Sequence, residues 1–75
     1  MAGMLAKELI SVTVNGEPRT IAAGASIAAM LEEIGIDPRK VAVEHNLEVV
    51  PRSTLGDVAV NDGDSFEIVH FVGGG

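Results

Sequence analysis

The sequence predicts an α+β fold, a mixed sheet of four to five strands with one main helix packed on one face. Three observations lead there. Ile10, Val12 and Val14 alternate with Ser11 and Thr13, which is the period of a half-buried strand. Ile27, Met30, Leu31 and Ile34 recur at i, i+3, i+4 and i+7, the period of one buried helix face. Around them the order runs strand, strand, helix, two short strands, an irregular crossing and a final strand, so one helix is available to cover one face of the sheet.

The elements follow in chain order. The first strand spans Leu9 to Val14, and Asn15-Gly16 turns it back, because both central positions of a tight hairpin turn need positive φ. The return strand, Glu17 to Ala22, contains Pro18, which cannot donate to a ladder and so belongs on a sheet edge; its inward face is left open. Ala23-Gly24-Ala25 interrupts, Ser26 caps the helix, Glu32 and Glu33 fall on its solvent side, and Gly35 with Asp37-Pro38 ends it. Val41 and Val43 face inward on a third strand that ends at His45. Asn46-Leu47-Glu48 turns into a short fourth strand stopped by Pro51. Leu55, Val58 and Val60 mark the crossing, the cluster at residues 61–64 makes a turn, and residues 66–72 form the last strand. A β-grasp is the compact arrangement that fits, with the last strand central and parallel to the first. The domain is expected over residues 8–72, with a disordered extension at 1–7 and a flexible glycine tail at 73–75.

Composition narrows the function. At 75 residues the chain makes one small domain, and with no Trp, no Tyr and only Phe66 and Phe71 its core must come from Val, Ile, Leu, Ala and Met. A pocket for a drug-sized ligand is hard to fit in it. Five Lys and Arg against 11 Asp and Glu leave a formal charge of -6, which repels phosphate backbones and anionic lipid, so neither nucleic acid nor membrane is expected as a partner. The absence of cysteine excludes a disulfide, a thiolate metal site and a persulfide-carrying thiol. Residues 1–7 show no secretory pattern and no run approaches a membrane span, so a cytoplasmic protein, monomeric when free, is expected.

The most telling feature is the ending. An apolar strand runs directly into Gly73-Gly74-Gly75, and residues without Cβ can enter a channel too narrow for others. An α-carboxyl group ionises at roughly pH 3.5, so at neutral pH it is a carboxylate able to attack the α-phosphate of a nucleotide held by another protein. The same ending also fits a frayed terminus. Alternation along the last strand puts Phe66 and Ile68 on one face and Glu67, Val69 and Phe71 on the other; if the helix covers Phe66, then Val69 and Phe71 form an open docking pair beside the tail. Arg52 is a cation in an acidic protein, placed either to orient a partner's acidic group or to pair with a local carboxylate. His45 and His70 have no neighbours at catalytic or metal-ligand spacing and are expected at the surface or at strand ends. Glu32-Glu33, Glu44 and Glu48 are expected as solvated acids, and no glycine-rich phosphate loop is present, so the chain is not itself an ATPase.

These residues together resemble a known family. Val14-Asn15-Gly16-Glu17, Val41-Ala42-Val43-Glu44 with Asn46, Val49-Val50-Pro51-Arg52, Asp62-Gly63-Asp64 before Glu67-Ile68-Val69, and Val72-Gly73-Gly74-Gly75 occur in the order and spacing of the sulfur carrier proteins of bacterial thiamine biosynthesis, which are small ubiquitin-like β-grasp proteins. The residues before Glu8, and His45 where Leu or Ile is more usual, depart from the pattern. The resemblance implies that Gly75 is the site of adenylation and thiocarboxylate formation, with Gly74 beside it, and that Val69, Phe71, Val72, Gly73 and Arg52 meet the partners. It implies a ubiquitin-activating-like adenylyltransferase that uses ATP and Mg²⁺, a cysteine desulfurase or other sulfur donor, and thiazole synthase as acceptor. The chain itself would bind no cofactor and would be a cosubstrate, not an enzyme. The small subunit of molybdopterin synthase is the nearest alternative, although Phe71-Val72 stand where that family tends to carry prolines. A ubiquitin-like protein modifier and an interaction module with an inert tail are the others.

Overall fold

The computed structural model describes residues 8–71. Its strands are β1 (Leu9–Val14), β2 (Glu17–Ala22), β3 (Val41–His45), β4 (Glu48–Val50) and β5 (Ser65–His70), with one helix, α1 (Ile27–Glu33), and short 3-10 turns at Pro38–Lys40 and Arg52–Thr54. They form one five-stranded sheet in the order β2-β1-β5-β3-β4. β5 is central, parallel to β1 and antiparallel to β3, which is the expected β-grasp. The N-terminal extension at 1–7, Val72 and the glycine tail at 73–75 lie outside the described residues.

Local chemistry accounts for each join. Asn15 and Gly16 take φ of 51° and 83°, and the Asn15 side chain then does a strand's work. Its Oδ1 accepts from the Ile68 N–H at 2.7 Å and its Nδ2 donates to the Ile68 carbonyl at 3.1 Å, which prolongs the short β1–β5 ladder. Pro18 sits on β2, an edge strand, where its missing donor costs no ladder bond to a further strand. Ser26 Oγ accepts from the Ala29 N–H at 3.1 Å, and Gly35 stops the helix at φ 89°.

The crossing between β4 and β5 is more ordered than its pattern suggested. The carbonyls of Val58 and Leu55 accept from the N–H groups of Ile27 and Ala28, both at 2.9 Å, so this segment satisfies donors that the start of any helix leaves free. Leu55 and Val60 are buried as a result. They join Val12, Val14, Ile21, Ile27, Met30, Leu31, Val41, Val43, Phe66 and Ile68 in one core between α1 and the sheet. Ile21 settles the face of β2 that the sequence left open. The last strand is shorter than expected: it ends at His70, and Phe71 lies just beyond, its N–H donating to the Lys40 carbonyl at 3.1 Å.

Candidate functional site

The helix covers the Phe66 face, and among the described residues no element covers the other face of β3, β4 and β5. Phe66 is fully buried and Ile68 nearly so, whereas Val69 is 64% and Phe71 51% exposed, as the alternation required. Register adds neighbours that periodicity does not supply. Ala42 pairs with Val69 and Glu44 with Glu67 across β3 and β5, and Glu44 pairs with Val49, itself 74% exposed, across β3 and β4. Ala42, Glu44, Val49, Glu67 and Val69 therefore share the open face, and Phe71 continues their row toward the carboxyl terminus.

Arg52 belongs to this region, in a way its sequence context did not reveal. The backbone turn at Arg52–Thr54 brings its guanidinium over the Phe71 ring, 5.0 Å from the centroid. No ion pair of Arg52 with an acid occurs among the described residues, so of the two readings left open the local pairing is not what holds it. A groove of about 220 Å³ runs beside it, lined by Val49, Val50, Pro51, Leu55 and Phe71 among others. Cation and groove thus flank the last described residue. The four residues that follow, Val72 to Gly75, lie outside the description, so the geometry of the predicted reactive end is not seen.

His45 ends β3, one of the two placements expected, but it has an acidic partner that its sequence neighbours did not show: its side chain is 18% exposed, stacked on Phe66 with centroids 4.8 Å apart, and its Nε2 lies 2.7 Å from Asp64 Oδ2. With Asp64 ionised, Nε2–H donates. Asn46 Nδ2 donates to Asp64 Oδ1 at 3.2 Å, the Asn61 N–H to Oδ2 at 2.9 Å, and Asn46 Oδ1 accepts from the Ser65 N–H at 2.9 Å. Burial alone would raise the Asp64 carboxyl, but the hydrogen bonds from Asn61, His45 and Asn46 outweigh it and hold it below its ordinary 3.8. Both carboxylate oxygens accept bonds that tie the end of β3 and the turns on either side to the start of β5, so this pair is a structural brace. His70 is exposed at the strand end, as expected. Among the described residues no cluster of His, Asp or Glu is placed to hold a metal ion, and no helix is long and apolar enough to cross a membrane.

The strand order and the exposed apolar residues on the uncovered face define a small β-grasp domain of the ubiquitin-like class. The particular family is the ThiS family: its model matches residues 12–75, and this chain is a member of it. The chain is 38% identical over 64 residues to the sulfur carrier protein ThiS of Thermus thermophilus, a match covering 85% of this chain and 98% of that protein. It superimposes on the crystal structure of the thiamine biosynthesis protein ThiS from Geobacter metallireducens with a TM-score of 0.74 at 35% identity, over 88% of this chain and 100% of that one. It is also 54% identical over 66 residues to a thiazole synthase of Paramagnetospirillum magneticum. That match covers 88% of this chain and 20% of the synthase, so the chain spans about a fifth of the length of that relative.

Proposed function

We propose that this protein is the sulfur carrier for thiazole formation in thiamine biosynthesis, and that the sulfur rides on the main-chain carboxyl group of Gly75. The observation that carries this is the exposed Val49, Val69 and Phe71 row with Arg52 at its end, directly before the terminal glycines, in a chain of the ThiS family. A bare apolar face holds a partner by area, and a tail without Cβ reaches on into that partner's active site. The absence of cysteine fits, because the carrier group belongs to the backbone.

A ubiquitin-activating-like adenylyltransferase seats Val69 and Phe71, with Arg52, Val72 and Gly73 at the rim of the contact, and threads Gly74 and Gly75 toward ATP and Mg²⁺. The Gly75 carboxylate attacks the α-phosphate, pyrophosphate leaves, and the acyl adenylate then has AMP as a good leaving group. The outer sulfur of a cysteine desulfurase persulfide or another donor attacks the acyl carbon and displaces AMP, and a thiol reductant then cleaves the resulting acyl disulfide, supplying two electrons and leaving a thiocarboxylate, a soft nucleophile at the end of the chain. Thiazole synthase receives it, and the likeness to one fifth of a thiazole synthase supports that acceptor. The protein is a cosubstrate consumed and regenerated, with no catalytic group of its own.

Growth without added thiazole of a bacterial strain lacking its own carrier tests this. The intact chain is expected to restore growth and a chain ending at Gly73 is not. Rescue by both removes the tail from the mechanism.

A further inference from the structure

Glu44 of β3 and Glu67 of β5 are direct partners across an antiparallel ladder, on the face α1 leaves bare. Like charges directly opposite each other destabilise a sheet, and among the described residues no cation forms an ion pair with either carboxylate. Among the described residues the ion pairs are Asp37 with Arg39 and His45 with Asp64, while Arg52 lies over Phe71. Beside the two carboxylates is a hollow of about 100 Å³ lined by Ala42, Glu44, Val49, Glu67 and Val69. Ala42 makes it: a methyl group on the middle strand of three leaves a gap between the bulkier valines of β4 and β5.

We propose that this hollow receives an arginine or lysine side chain from the protein on which the open face docks. Its aliphatic stem lies over Ala42 between Val49 and Val69, and its charged head meets Glu44 and Glu67. This rests on the docking role given to the open face above and adds the chemistry of the partner's surface. The charges select among occupants. A second copy of this chain, face to face, would bring four carboxylates together, and an anionic surface is repelled by the same pair. A basic protein side chain satisfies both the walls and the carboxylates, and the hollow is continuous with the row that leads through Val69 to Phe71. The unrelieved repulsion in the free protein is thereby relieved in the complex.

The test is calorimetric titration of the full chain against the ubiquitin-activating-like adenylyltransferase of the same organism, at low and high salt. The double variant Glu44→Gln with Glu67→Gln is expected to bind about tenfold more weakly at low salt, with the difference shrinking as salt rises. It is also expected to melt no lower than the parent, because the repulsion is gone, which separates lost binding from lost folding. Ala42→Leu, which fills the hollow, is expected to weaken binding at every salt concentration. Unchanged or tighter binding by the double variant, or a loss independent of salt, overturns the inference. Val69→Asp separates the two levels: if it abolishes binding while the double variant does not, only the basic contact fails. If neither changes binding, the docking face fails with it.

Discussion

The two ends of β5 are built for different purposes. At its start Phe66 is enclosed: it has no exposed surface, His45 stacks on it at 4.8 Å, and Asp64 ties His45, Asn46 and Asn61 together. Toward its end and just past it, Val69 and Phe71 are 64% and 51% exposed, with the Arg52 guanidinium over the Phe71 ring. One strand is thus fixed at one end and offered at the other. The difference teaches that a buried and an exposed stretch lie within six residues, so substitutions at the start are expected to act through folding and, on the proposed docking role, those at the end through binding.

The largest effect tests the fixed end. Phe66→Ala removes a fully buried aromatic ring and is expected to cost about 3–5 kcal/mol in urea unfolding, a large part of what a domain this small possesses. A loss below about 1 kcal/mol would mean that the brace, not the ring, holds β5. Next comes Asp64→Ala, which strips hydrogen-bond partners from His45, Asn46 and the Asn61 N–H, at a cost of about 2 kcal/mol. The sign of its pH dependence follows from its depressed carboxyl: the unfolded chain takes up the proton first, so the Asp64 contribution is present above its ordinary 3.8 and is lost as pH falls through the lower folded value. Thermal melts below pH 4 should therefore fall more steeply for the parent than for Asp64→Ala, and parallel curves would remove Asp64 as the cause.

A smaller effect of opposite sign is expected next to the brace. Leu47 is 88% exposed and held at φ 74°, where a side chain with Cβ is strained, so Leu47→Gly should stabilise by about 0.5–1 kcal/mol. Destabilisation would show that Leu47 makes a contact worth more than its strain. The smallest stability change belongs to the offered end. Phe71→Asp forfeits one exposed cation–π contact, about 0.5 kcal/mol, yet should sharply weaken partner binding in a pull-down with the adenylyltransferase. A large drop in melting temperature would place Phe71 with the fixed end and break the comparison.

Much of this architecture could be read from the chain. Period-2 and period-3.6 patterns located β1, α1 and β3, the Asn15-Gly16 pair located the first turn, and alternation in β5 sorted Phe66 from Val69 because only one face of the sheet is covered. What was not legible depends on register. His45 and Asp64 stand 19 positions apart, and only the β3–β5 pairing brings them to 2.7 Å. The same pairing sets Glu44 opposite Glu67, which no local pattern announces. The second hairpin turn shows the limit from the other side. Asn46 and Leu47 take positive φ of 51° and 74°, nearly the angles of Asn15 and Gly16, but a leucine is no turn signal; there the Asn46 side chain and the brace impose a conformation that local preference opposes. Charge and the family resemblance single out Arg52, and its seat on Phe71 follows from a backbone turn that its sequence does not mark.

The most direct test of the central claim is the intact mass of the chain after incubation with the adenylyltransferase, ATP, Mg²⁺, a persulfide donor and a thiol reductant. The account predicts a gain equal to one oxygen replaced by sulfur, localised to Gly75 by fragmentation and absent from a chain ending at Gly73. An unchanged mass under conditions that release pyrophosphate, or sulfur found on any other residue, would contradict it.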